Sequence, residues 1–184
     1  MELPQERHNT IADYYNTPEN EHVELINGRF YAMSAPSRLH QRLSVKLCNI
    51  IDSYITDNNG DCHVYHSPFA VQLEGEKDTV VEPDISVICD MDKLNDKGCK
   101  GAPDWIIEIV SPSNFKHDYI TKLALYAEAG VREYWIVDLG QQRILVYRFE
   151  LDAVVNMYTF NDSIQVGIFK DLSIDFAGIS KYLF

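Results

Sequence analysis

The stretch Trp105-Ile106-Ile107-Glu108-Ile109-Val110 constrains the fold more than any other part of the chain. Apolar residues occupy both strand parities, the pattern of a β-strand covered on both faces. Such a strand needs a layer on each side, which directs the chain toward a single α/β or α+β unit. A helical segment follows from about Asp118 to Ala129 and stops at Gly130. After it come Glu133 to Asp138, Arg143 to Glu150, Val154 to Phe160 and Ser163 to Phe169, all rich in β-branched or aromatic residues and read as strands. The tail from Ser173 to Phe184 reads as strand, then helix.

Upstream, a short helix is expected around Thr10 to Asn16, then a hairpin from His22 to Met33 turning at Asn27-Gly28. From Ser37 to Thr56, Leu39, Leu43, Val45, Leu47, Ile50, Ile51 and Tyr54 follow helical spacing, and Asn58-Asn59-Gly60 stops the helix. Cys62 to Leu73 and Val80 to Cys89 read as strands. No linker or internal repeat divides the 184 residues, so the expectation is one domain over 1–184.

Charge narrows the partners. With a net charge of −12 the chain as a whole does not attract a polyanion or an anionic membrane, and any such binding must use locally concentrated cations. No apolar run approaches the roughly 18 residues of a membrane span, and the first residues lack signal-peptide character, so a cytoplasmic protein with no membrane partner is expected. Cys48, Cys62, Cys89 and Cys99 include no CxxC pair and are expected as free thiols, mostly core filler.

Glu108 is the chemical anomaly. A carboxylate in a strand buried on both faces costs several kcal/mol, roughly, unless protonation, a cation or a metal neutralises it. The plainer alternatives are an exposed strand-end residue or a salt bridge. Asp84, in Glu82-Pro83-Asp84-Ile85-Ser86-Val87-Ile88, shares a face with Ser86 and Ile88, and the proline before it favours a strand start, an edge or a bulge. Asp118, Lys122 and Tyr126 recur at i, i+4, i+8 and line one helical face. On its own that face is an ordinary surface pair, but the helix follows the Glu108 strand and can return its lysine to the two acids. Two carboxylates and a lysine suit a hard divalent ion, an activated water and the charge that develops on a phosphate.

In order along the chain, Glu24-Leu25-Ile26-Asn27-Gly28, His40, Pro83-Asp84, Glu108-Ile109-Val110-Ser111-Pro112-Ser113, Asp118, Lys122, Tyr126 and Ala129-Gly130-Val131-Arg132-Glu133-Tyr134-Trp135-Ile136-Val137-Asp138 resemble the Uma-two family, a restriction-endonuclease group of the PD-(D/E)XK nuclease superfamily. The resemblance covers roughly residues 10–170. It implies a restriction-endonuclease-like core, a mixed central β-sheet flanked by helices, and an endonuclease that hydrolyses DNA with Mg²⁺ or Mn²⁺. It also implies metal ligation by Asp84, Glu108 and the Ile109 carbonyl, with Glu24 completing the shell, and catalysis by Asp84, Glu108 and Lys122. The superfamily usually places the lysine two residues after the glutamate. Val110 stands there, and the family assigns the role to Lys122 instead.

Substrate contacts are expected from His40, Arg38, Arg42 and Tyr126, with Arg38, Arg42 and Lys46 repeating at i, i+4, i+8 against a solvated-face alternative. Lys93, Lys97 and Lys100 are expected in a mobile flap beside the site. Two other readings remain open at this level: a silent nuclease fold serving as a binding or regulatory module, and a hydrolase of small phosphoesters. The aromatic C-terminal strands are expected either to complete the core or to offer a homodimer surface.

Overall fold

The computed structural model describes residues 8–18, 21–74, 78–110, 117–150 and 155–183. In chain order, α1 (Ile11–Tyr15) precedes β1 (Val23–Ile26), β2 (Arg29–Ala32) and α2 (Arg38–Asp57). Strands β3 (His63–His66), β4 (Val71–Gln72), β5 (Val80–Val81) and β6 (Ile85–Ile88) follow. Next come β7 (Leu94–Asn95), β8 (Gly98–Lys100) and β9 (Trp105–Val110). A π-helical segment, His117–Lys122, leads into α3 (Leu123–Ala129). The chain ends through β10 (Glu133–Asp138), β11 (Arg143–Arg148), β12 (Asn156–Thr159), β13 (Ser163–Gln165), β14 (Ser173–Asp175) and α4 (Phe176–Leu183).

Local chemistry explains the helix starts and the first hairpin. Thr10 and Asp13 form a reciprocal capping box on α1, and the Ser37 hydroxyl accepts the His40 N–H at the start of α2. Asn27 and Gly28 both take positive φ, 50° and 75°, as a two-residue hairpin turn of this hand requires.

The central sheet runs β12-β11-β10-β9-β6-β3, with β9 and β10 parallel and the other neighbours antiparallel, so it is mixed as expected. A second sheet runs β2-β1-β5-β4-β8-β7. Alternation along β9 sends Trp105, Ile107 and Ile109 to one face, where they pack with Leu43, Leu47 and Ile51 of α2 and with Phe176 and Ile179 of α4. Ile106 and Val110 face the other way, against Tyr126 of α3 and Ile26, Val71 and Val81 of the second sheet. Both faces are covered, which is why all six β9 residues are buried.

Several details differ from the sequence reading. The stretches 62–73 and 80–89 are not single strands: each divides at a proline, Pro68 or Pro83, and contributes one half to each sheet. Proline lacks the N–H that a continuing ladder needs, so the chain bends there and changes layers. Lys93 to Lys100 is not a loose flap but includes the β7–β8 hairpin, with β8 paired to β4 and the Lys93 ammonium donating to the Ala102 carbonyl at 2.9 Å. Cys62 and Cys89 are not free thiols. They form a disulfide because the antiparallel β3–β6 register, with His63 opposite Ile88, brings them together across the next position. Cys48 and Cys99 are free, and burial pushes both thiols up to about 11. Among the described residues no helix is long and apolar enough to cross a membrane.

Candidate active site

Glu108 shares the parity of Ile106 and Val110, so its carboxylate points between the central sheet and the layer that holds α3 and the second sheet. Lys122, at the end of the π-helical segment, places its ammonium 2.9 Å from Glu108 Oε1 and 2.9 Å from Glu24 Oε1. Glu24 arrives on β1, so one lysine binds acids from both sheets. Tyr126, one helical turn further, donates its hydroxyl to Glu108 Oε1 at 2.8 Å. Burial and the adjacent Glu108 and Glu24 charges hold the Tyr126 phenol well above the usual tyrosine range, so it stays a donor.

Asp84 sits at the bend after Pro83, just before β6. The β6–β9 register pairs Ile85 with Ile107, which sets Asp84 across from Glu108, and the Asp84 N–H lies 3.4 Å from Glu108 Oε2. Its Oδ2 accepts the Ile109 N–H at 2.7 Å and lies 3.0 Å from His40 Nε2, while Oδ1 has no hydrogen-bond partner among the described residues. The N–H and C=O of a strand residue point to the same side, so the Ile109 carbonyl is also turned toward Asp84, beyond the start of β6. His40 reaches Asp84 from the first turn of α2, on the face that packs against the sheet.

The structure gathers Asp84, Glu108, Lys122, Glu24, His40 and Tyr126 as the sequence suggested. It does not bring Arg38 and Arg42 to them. At 100° per residue these lie far round the helix from His40. Arg38 is exposed, Arg42 donates to the Tyr182 carbonyl at 2.6 Å, and the Lys46 ammonium lies over the Tyr182 ring. The expected basic face is therefore partly the docking surface of α4. Ser111, Pro112, Ser113 and the Asp118 side chain lie outside the described residues.

Sequence reasoning passed over Glu82 and Tyr14. The Glu82 N–H donates to Glu24 Oε1 at 3.0 Å, and the Tyr14 hydroxyl donates to Glu82 Oε1 at 2.7 Å. Burial and then the Glu82 hydrogen bond push the Tyr14 phenol up. The position of Glu82, directly before Pro83-Asp84, was the available signal.

Charge balance defines what the site accepts. Glu24, Glu108 and Lys122 are only 3%, 4% and 4% exposed, and among the described residues two buried carboxylates face the Lys122 ammonium, with Asp84 adjacent. The carboxylate donors are hard oxygens, a set that suits Mg²⁺ or Mn²⁺. Among the described residues no three His, Cys, Asp or Glu side chains close around one point. A Mg²⁺ site does not need that, because the ion commonly keeps several waters and takes one or two carboxylates.

Comparisons with known proteins agree with this architecture. A solved structure described as a putative nuclease belonging to DUF820, from Anabaena variabilis, superposes with a TM-score of 0.79 at 20% identity, covering 95% of this chain and 99% of that one. An uncharacterized protein of Synechocystis is 26% identical over 162 residues, 86% of this chain and 82% of the relative. The model of the Uma2 (Uma-two) family, described as "Putative restriction endonuclease", matches residues 11–177. On that match, over a mixed sheet that carries Glu108 on β9 with Asp84 at the start of the neighbouring β6, the chain belongs to the Uma2 family.

Proposed function

We propose that the chain, as one domain, is a divalent-metal-dependent endonuclease that hydrolyses DNA phosphodiester bonds. The observation that carries this reading is the Lys122 ammonium held between Glu108 and Glu24, with Asp84 opposite Glu108 at the bend that leads into β6. Asp84, Glu108 and the Ile109 carbonyl would hold Mg²⁺ or Mn²⁺, with Glu24 completing the shell directly or through water. Bound there, the ion would supply a water of lowered pKa and offset charge on the phosphate.

The chain's own groups then divide the work. Lys122 orients the attacking water and stabilises the charge that grows on the phosphoryl oxygens. Tyr126 fixes the Glu108 carboxylate and closes the site from the α3 side. His40 and the Ile109 N–H hold Asp84 Oδ2, leaving Oδ1 for the ion. The water oxygen bonds to phosphorus and gives its proton to solvent, while the bond to the leaving sugar oxygen breaks and that oxygen takes a proton from solvent. The products are a phosphomonoester and a free hydroxyl.

The direct test is cleavage of supercoiled plasmid and single-stranded DNA with Mg²⁺, Mn²⁺ or EDTA, comparing wild type with Glu108→Ala. Metal-dependent nicking reduced by about 10³-fold or more in the variant is expected, as for loss of a group on which the transition state depends. The −12 net charge favours a second reading, in which the same site hydrolyses small phosphoesters. Nucleotide turnover without polymer cleavage would select it, and calorimetric metal binding without any turnover would indicate a silent binding module.

A further inference from the structure

We propose that Arg143, supported by Tyr119, forms a second phosphate subsite for the nucleic-acid strand, next to the cleavage site. The inference rests on the nuclease reading and extends it to the substrate: a polymer with a phosphate on each side of the scissile bond.

The placement follows from register. Glu108, Ile136 and Leu145 form one row across β9, β10 and β11, and Val110, Asp138 and Arg143 form the next. Arg143 therefore projects from the same face as Glu108, one ladder step closer to the C-terminal end of β9 and two strands away. At ordinary sheet spacings that is roughly 10 Å across and 7 Å along, within reach of a long side chain beside a substrate lying over the strand ends. Tyr119 stands on the helical segment that carries Lys122, so both sites share a wall.

An ion pair with Asp138 does not use up the guanidinium. Asp138 accepts the Tyr119 hydroxyl at 3.0 Å on Oδ2 and the Gln141 N–H at 2.8 Å on Oδ1. Arg143 Nη2 stays 3.8 Å from Asp138 Oδ2, beyond hydrogen-bond length, and its hydrogen bond to the Tyr119 hydroxyl is a long 3.5 Å. Its Nε is buried and has no partner among the described residues. The guanidinium carbon lies 5.6 Å from the Tyr119 ring centroid, which steadies its plane. Among the described residues the Nη groups make one long hydrogen bond, on a side chain 32% exposed, and their fork matches the bidentate geometry of a phosphate. Asp138 holds the arm through a 3.8 Å ion pair that takes up none of its hydrogen-bond donors.

The test measures binding of a fluorescein-labelled oligodeoxynucleotide, in Ca²⁺ to suppress cleavage, by wild type, Arg143→Gln and Arg143→Lys across a salt series. Arg143→Gln is expected to weaken binding about tenfold and to flatten the slope of log Kd against log salt by about one unit, as loss of one phosphate contact does. Arg143→Lys should keep the slope and lose part of the affinity, because the point charge stays and the fork does not. In turnover, kcat/KM of Arg143→Gln should fall about tenfold further on the polymer than on bis(p-nitrophenyl) phosphate, which has a single phosphate. Equal losses on both substrates, or unchanged affinity and slope in a wild type that binds and cleaves DNA, would overturn the subsite and leave the nuclease reading standing. A wild type that neither binds nor cleaves DNA would overturn both.

Discussion

The two sheets are built on different principles. The central sheet uses strands of four to six residues, and β9 and β10 are buried along their whole length between two apolar cores. The second sheet is assembled from strands as short as two residues, β4, β5 and β7, held by their neighbours and by the packing of Val71, Val80 and Val81. The first is held by its own ladder, and the second by its docking. The site draws on both: Asp84 and Glu108 are fixed by strand register, whereas Glu24 reaches them only because its sheet is pressed against the central one. The site thus takes Glu108 from β9, Asp84 from the bend that leads into β6, and Glu24 from β1 of the second sheet.

Truncation tests this contrast most strongly. Trp135 lies fully buried between Trp105 and Phe176, and Trp135→Ala should cost about 3–5 kcal/mol in urea unfolding. Val80→Ala in the second sheet should cost about 2 kcal/mol. Equal costs would erase the distinction between the sheets. Next comes the junction. Lys122→Met leaves Glu24 and Glu108 buried without their shared cation, and a loss of about 3 kcal/mol without divalent ions is expected. Mg²⁺ should then raise the Tm of the variant more than that of wild type, and identical shifts would count against metal binding at this point.

The smallest effect concerns Glu133, which holds the segment after β13 to the central sheet. Its carboxylate accepts from the Trp135 indole at 2.7 Å and from the Gly167 and Ile168 N–H groups. Burial pushes the carboxyl above its ordinary value in spite of these donors and Arg148. A carboxyl raised in the folded state favours the protonated form. Its contribution to stability is therefore complete below about pH 4.5, the unfolded carboxyl value, and is lost as pH rises through the folded value. The stability difference between wild type and Glu133→Gln should shrink over that interval, and a flat difference in urea midpoints would sink the assignment.

The long strands were legible because burial on both faces writes itself as an uninterrupted apolar run. Trp105 to Val110 and Glu133 to Asp138 have the predicted bounds, and Glu108 stood out as the polar residue inside such a run. The β1–β2 hairpin was legible from Asn27-Gly28, whose positive φ angles few other pairs adopt so readily. Two-residue strands have no periodicity to read. Pro68 and Pro83 were visible, but that each sends the chain into another sheet is a tertiary fact. The Cys62–Cys89 pair, separated by 27 residues, could be found only from the β3–β6 register. Arg42 and Lys46 looked like substrate contacts because the sequence did not show that the C-terminal helix comes back to meet them.

The Lys122 ammonium also has a mechanical meaning. Bonded to Glu24 of one sheet and Glu108 of the other, it is a rivet through the seam between the two layers. A lineage that lost this lysine would loosen its own scaffold. On the proposed mechanism, selection for a folded protein and selection for an active one fall on a single nitrogen atom.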